Sequence, residues 1–350
     1  MVNSFAVSNY KNSKTIFASL LCMLAILPEA AICSEQLADN AFGDPEYVVN
    51  MDDSWRYKTI AHDEKLGNVD LVISLGQQTY PALHQFVEDY AKRKGIKIVI
   101  QQGTCGVSSK KLALKAIDMG AYCCPPGKTD RLPGIEFHTI GIAPIALITN
   151  TDNEISDLSL TEARNIFSGR TQRWSEVPVT NKIQLPQKDI QPVVRLHCKK
   201  RPGHWRMLLD NENMFSARIH EVGVIPDMIK EVSEAPAAIG YETLFMLEVY
   251  KENGNVKVLS IDGLDPSDLN NMESADYPFY RSFSLTTWSG DKTSNKLSQE
   301  LLTSIQQHIE EHGDRYGIIP SSKLRLAGWK FRGDELIGEP TGKRVFSEHE

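Results

Sequence analysis

Apolar and polar positions fall into a repeating order from residue 68 onward. "NVDLVISLGQQTYPALHQFVEDYAKRKG" opens with an apolar run, breaks at a glycine, and continues with Leu83, Phe86, Val87 and Tyr90 at helical spacing. "IKIVIQQGTCGVSSKKLALKAIDMG" repeats strand, glycine-containing turn and helix, which predicts βαβ units and a mostly parallel sheet. "EFHTIGIAPIALITN" supplies further β-type runs, and "SLTEARNIFSGRTQRWSEV" opens a helix with Ser159 as N-cap and Glu162 three residues on, the capping-box spacing. The strand "DIQPVVRLHC", helical stretches near 204–233, the short strand "AAIGY", "FSLTTWS" and the helix "SNKLSQELLTSIQQHIEEHGDRYG" follow, the last third returning to the first lobe. Residues 34–66 show no sustained periodicity and read as an extension, and 326–350 as a tail.

The N-terminus changes how the rest is read. Lys11 and Lys14 precede the apolar run "TIFASLLCMLAIL", and "PEAAICSEQ" follows with small residues. Since a bilayer span takes roughly 20 residues, the pattern predicts a signal peptide over 1–33, cleaved after Cys33 or a neighbouring alanine, and a periplasmic or secreted product. Lipid attachment at Cys33 meets a poor lipobox in "AAI". No later segment is apolar enough to span a membrane.

The 350 residues, 41% hydrophobic and 24% charged, suffice for two lobes. Removal of Lys11, Lys14 and Glu29 with the leader leaves 36 basic against 44 acidic side chains, a balance that recommends no nucleic-acid partner.

Export also places the cysteines of the mature chain, Cys105, Cys123, Cys124 and Cys198, in an oxidising compartment where thiols pair or bind metal. Their even number permits disulfides without requiring them.

The order "GQQTYPAL", "GTCGVSSKKL", "AIDMGAYCCPP", "IGIAPIALITN", "LSLTEARNIFSGRTQRWSEV", "APAAIGY", "GDRYGIIP" resembles the phosphate-type solute-binding proteins of ABC importers over residues 68–325. The resemblance implies an α/β fold of the type II periplasmic-binding-protein kind, each lobe a mostly parallel sheet flanked by helices, with lobe I over 67–148 and 243–325 and lobe II over 149–242. Loops at strand C-termini then lead into helices whose first N–H groups lack internal partners and can hold an anion. The expected ligand is a small oxyanion, phosphate or a relative. A membrane permease or sensor is the expected partner; the chain is expected to act as a monomer, without a cofactor and not as an enzyme.

Carried over by position, the first ligand loop is Gln77, Gln78 and Thr79. The second is Gly103, Thr104, Cys105, Gly106 and Ser108. The third is Tyr122, Cys123 and Cys124, with cysteines where the family has serine and arginine. The second-lobe loop falls near Arg195, His197, Cys198 and His204, where the family's Ser-Gly-Thr is missing. Loss of the guanidinium at Cys124 removes a charge-assisted anion contact. The cysteines leave three readings open. Cys105 pairs with Cys123 or Cys124 in a disulfide; or Cys105, Cys123, Cys124 and Cys198 bind a soft metal or metalloid with His197 or His204; or a thiol pair is redox-active.

The histidines elsewhere read more plainly. His84 and His138 are expected at the core edge or surface, and His308 and His312, though at i, i+4, on a solvated helix face. Trp174 is expected to anchor packing. Cys198 beside His197 suggests a nucleophile, but neighbours in an extended segment face opposite ways, and no nucleophile elbow, phosphate-binding Walker loop or zinc-protease motif occurs.

Overall fold

The computed structural model describes residues 42–178, 185–196, 208–209, 212–290 and 293–341. The first of these, 42–66, lie against the first lobe. In α1 (Asp53–Tyr57), Trp55 Nε1 donates to the Ala113 carbonyl at 2.6 Å. The buried Lys115 ammonium sits 4.3 Å from the Trp55 ring centre and donates to the carbonyls of Arg56 and Lys58, so the segment has a fixed seat. Burial pushes that lysine below its ordinary range.

β1 (Leu71–Gly76) leads to α2 (Tyr80–Lys94), which buries Leu83, Val87 and Tyr90 and stops at Gly95, whose φ of 66° is the left-handed turn a glycine takes without strain. β2 (Ile98–Gly103), α3 (Cys105–Ala113) and β3 (Met119–Tyr122) complete the expected units, and β1 pairs in parallel with both β2 and β3. A side chain at Gly120 would come within 2.8 Å of Leu112 Cδ1, so the glycine lets α3 lie close on β3.

β4 (Ile135–Asn150) is a single strand of 16 residues that runs through both lobes. The second lobe continues with β5 (Asp157–Leu158), α4 (Leu160–Ser168), β6 (Gln191–Val194), β7 (His220–Glu221), α5 (Ile225–Glu234) and β8 (Ala238–Thr243). The capping box opens α4 as expected: Ser159 Oγ accepts from the Glu162 N–H at 3.1 Å and Glu162 accepts from the Ser159 N–H at 2.7 Å. Trp174 is fully buried with Nε1 donating to the Ala237 carbonyl, a packing anchor.

After α6 (Leu244–Val249), β9 (Val256–Ile261) pairs with the last residues of β4 and with β5, and α7 (Leu269–Glu273) sets Met272 into the same core. Phe245 of α6 meets the Tyr316 ring in the first lobe, and β10 (Tyr280–Trp288) joins the first-lobe sheet beside β3. β10 lies between β3 and the first half of β4, giving the order β2-β1-β3-β10-β4-β8-β6-β7, with β9 and β5 branching from β4. Parallel βαβ segments thus sit on either side of an antiparallel middle.

α8 (Lys296–His312) packs on α2, and its histidine face is less solvated than expected: His308 stacks on Phe86 with ring centres 4.2 Å apart and contacts the Tyr316 hydroxyl at 3.0 Å. His138 is buried between Asp334 and Thr287. β11 (Ile319–Pro320) and α9 (Ser321–Leu326) follow, and the expected tail instead contains a hairpin, β12 (Lys330–Arg332) and β13 (Glu335–Gly338). Polar contacts hold it on β4. Arg131 meets Glu335 through two bonds at 2.6 and 3.1 Å, and the Leu336 N–H donates to Thr139 Oγ1.

Tyr280 closes this corner. Its ring contacts Phe42 and Trp329, and its hydroxyl donates to Glu339 at 2.6 Å. Among the described residues no helix is long and apolar enough to cross a membrane.

Candidate functional site

The C-terminal ends of β1, β2 and β3 face those of β6 and β8, and the loops there carry most of the expected ligand residues. The glutamines after β1 are long enough to reach the opposite lobe. Gln78 Nε2 donates to Glu242 Oε1 at 2.6 Å, and Gln77 Oε1 accepts from Arg195 Nη2 at 3.2 Å. Arg195 and Glu242 close the network with an ion pair of 2.6 Å, both side chains no more than 2% exposed. The Thr243 N–H donates to Glu242 and the Thr243 hydroxyl to Gln78 Oε1, so five residues latch the two lobes together. Each charge here has lost its water, and the bonds it keeps are correspondingly costly to remove. Thr79, at the N-cap of α2, spends its hydroxyl proton on the Gly76 carbonyl.

Tyr241 lies under this network. Its hydroxyl accepts from the Arg195 N–H at 3.0 Å, and burial pushes its pKa up to about 12 against the pull of Arg195 and Arg281, keeping it a neutral phenol.

The second loop divides. Thr104 caps α3 by accepting from the Val107 N–H, and Gly106 is exposed. A side chain on Gly103 would come within 2.9 Å of Val107, so only glycine fits this approach. Ser108 is fully buried and donates to Ser74 Oγ at 2.9 Å, pinning α3 to β1 beneath the loop. Tyr122 likewise turns into the first-lobe core, its ring edge-on to Phe137 at 5.4 Å. Both belong to parallel-strand packing, which claims the inward positions next to a loop.

The cysteines of the second and third loops do meet. Cys105 and Cys123 Sγ are 3.2 Å apart, the Cys123 N–H donates to Cys105 Sγ at 3.3 Å, and the sulfurs of Cys105, Cys123 and Cys124 all lie within 4.8 Å of one another. The expected disulfide between Cys105 and Cys123 is not formed; the two thiols touch without a bond. The Cys105 thiol beside it, together with burial, pushes the Cys123 thiol up, while Cys124 and Arg281 pull it down. Arg281 reaches this loop from β10, its Nη1 donating to the Cys123 carbonyl at 3.3 Å. His197, Cys198 and His204 lie outside the described residues.

With this geometry in view, three comparisons bear on ancestry. The sequence profile described as "PBP superfamily domain" matches residues 62–303. The chain belongs to the PBP superfamily. Within it, "Phosphate-binding protein PstS 2" of Streptococcus agalactiae serotype V is 25% identical over 118 residues, 33% of this chain and 40% of that protein. The chain thus spans well under half of the length of the curated relative it matches. In three dimensions this PBP superfamily member is similar to an ABC-type phosphate transport receptor from Vibrio cholerae, with a TM-score of 0.56 and 14% identity over 71% of this chain and 99% of the other. It is also similar to a protein described as a phosphate ABC transporter substrate-binding protein with bound phosphate from Clostridium perfringens, with a TM-score of 0.59 and 17% identity over 71% and 98%. These likenesses establish the two-lobed α/β fold.

Sequence reasoning missed Glu242, Thr243 and Arg281, which this PBP superfamily member places among the cleft loops. A signal for two of them was present. "YRSFSLTTW" and "AAIGYET" each carry one charged residue inside or at the end of a buried strand, and a charge placed there needs a partner or a ligand.

Proposed function

We propose that the chain is an exported solute-binding protein whose interlobe cleft captures a small oxyanion, phosphate or a relative, for an ABC-type permease or a sensor. The observation that carries this reading is the convergence of two buried guanidiniums on the loop ends. Arg195 comes from the second lobe, where it pairs with Glu242, and Arg281 comes from the first, where it reaches the Cys123 carbonyl. Two guanidiniums placed at the loop ends favour an anion over a cation. Thr104 and the exposed Gly106 stand at the entrance of α3 as further donors.

The glutamine latch gives the site its closure. Gln77 and Gln78 bond across the lobes, so closing the cleft makes these contacts and opening it breaks them. A permease or sensor that reads the closed form then reads the ligand.

Titration calorimetry of the metal-free mature chain with inorganic phosphate tests the reading. Saturable one-to-one binding is expected, weakened at least about tenfold in Arg281→Gln by loss of a charge-assisted contact. Absence of heat with phosphate and sulfate up to millimolar concentration, on a chain shown to be folded, overturns it.

A further inference from the structure

We propose that Cys105, Cys123 and Cys124 form a three-sulfur site for a trivalent metalloid, taken up as its neutral trihydroxide. This binding is separate from the capture of an oxyanion and does not depend on it. Two loops far apart in sequence supply the ligands: Cys105 is the first residue of α3, and Cys123 and Cys124 follow β3. Adjacent cysteines on an extended strand would point apart. Here the backbone bends at both residues before Pro125 and Pro126, and their sulfurs fall on the same side as that of Cys105.

Distance and burial both suit a single central atom. Thiolates bound at about 2.3 Å from one centre stand roughly 3.7 Å from one another. The closest described pair is at 3.2 Å and none of the three sulfurs is more than 4.8 Å from another, so small side-chain adjustments complete the set. The residues are 2%, 7% and 1% exposed, which keeps competing water away.

Charge selects among soft ions. A trivalent centre held by three thiolates is neutral, whereas zinc on the same sulfurs leaves one negative charge and copper(I) two, and net charge in a dry site is costly. Zinc also takes four ligands in structural sites, and the cluster among the described residues offers three. The reaction balances without an oxidant. Three S–H bonds and three metalloid–OH bonds break, three metalloid–sulfur bonds form, and each thiol proton leaves with a hydroxide as water.

The test uses the reduced, metal-free full chain and sodium arsenite in phosphate-free buffer, so that failure of anion binding is a separate result. Native mass spectrometry is expected to show a one-to-one adduct heavier by one arsenic atom less three protons, lost in Cys105→Ser, Cys123→Ser and Cys124→Ser. Alkylation mapping of the wild-type chain, which stands even if a variant fails to fold, is expected to show arsenite protecting these three cysteines and leaving Cys198 open. The proposal is overturned by no adduct, by protection of Cys198 in place of one of the three, or by zinc or copper(I) displacing arsenite at equal concentration.

Discussion

Glu242 is costly to alter, because its carboxylate faces Arg195 with almost no water on either side. Glu242→Gln keeps the shape and removes the charge, leaving a buried guanidinium uncompensated. Urea unfolding is expected to show a loss of about 3–5 kcal/mol, part of which millimolar phosphate restores by taking the place of the missing charge. A second prediction concerns Glu339. Burial pushes its carboxyl up to about 7 from 4.5, so the folded chain holds a proton there that the unfolded chain has released. Stability from this group is present below the unfolded value and declines as pH rises through the folded one. Unfolding free energies at pH 5.5 and pH 8 are expected to differ through this group by about 2 kcal/mol in favour of the acid side, with the difference shrinking in Glu339→Gln. The family resemblance, carried over by position, gave Gln77, Gln78, Arg195 and the loop cysteines as expected cleft residues. The sequence hid Arg281, Glu242 and the inward turns of Ser108 and Tyr122, because the face to which a residue at a strand end points depends on pairing that local pattern does not contain.

Local patterns sufficed for elements that nucleate on their own residues. The two strand–turn–helix units, the capped α4 and the long α8 follow from spacing and caps, and Ser159→Ala is expected to lower stability by about 1 kcal/mol in denaturant unfolding by removing one half of the capping box. Elements made by distant partners were less legible. β4 reads as separate apolar runs, yet forms one strand because β10 pairs its first half while β8 and β9 flank its second. At Gly141 a side chain would collide with the Ile319 carbonyl oxygen of β11. Gly141→Ala is therefore expected to cost roughly 2–4 kcal/mol in the same assay, well beyond the propensity difference. The hairpin of β12 and β13 escaped notice because its strands are three and four residues long and alternate weakly.

At the scale of the molecule, the two-lobed order was readable from the alternation of elements, whereas the pairing of β9 with β4 and β5 was not, because it joins segments distant in the chain. The hairpin also joins distant parts: Arg131 in the first lobe and Glu335 near the end of the described chain form a buried, doubly bonded pair. Truncation after Leu326 is expected to leave Arg131 without that pair and to lower the thermal midpoint by several degrees, read by circular dichroism. The Tyr280 corner extends this dependence to the order in which the protein can be made. Phe42 emerges from the ribosome early and Glu339 late, and the ring between them is sealed only when both have arrived. A growing polypeptide consequently keeps this seam unzipped until Glu339 has been added.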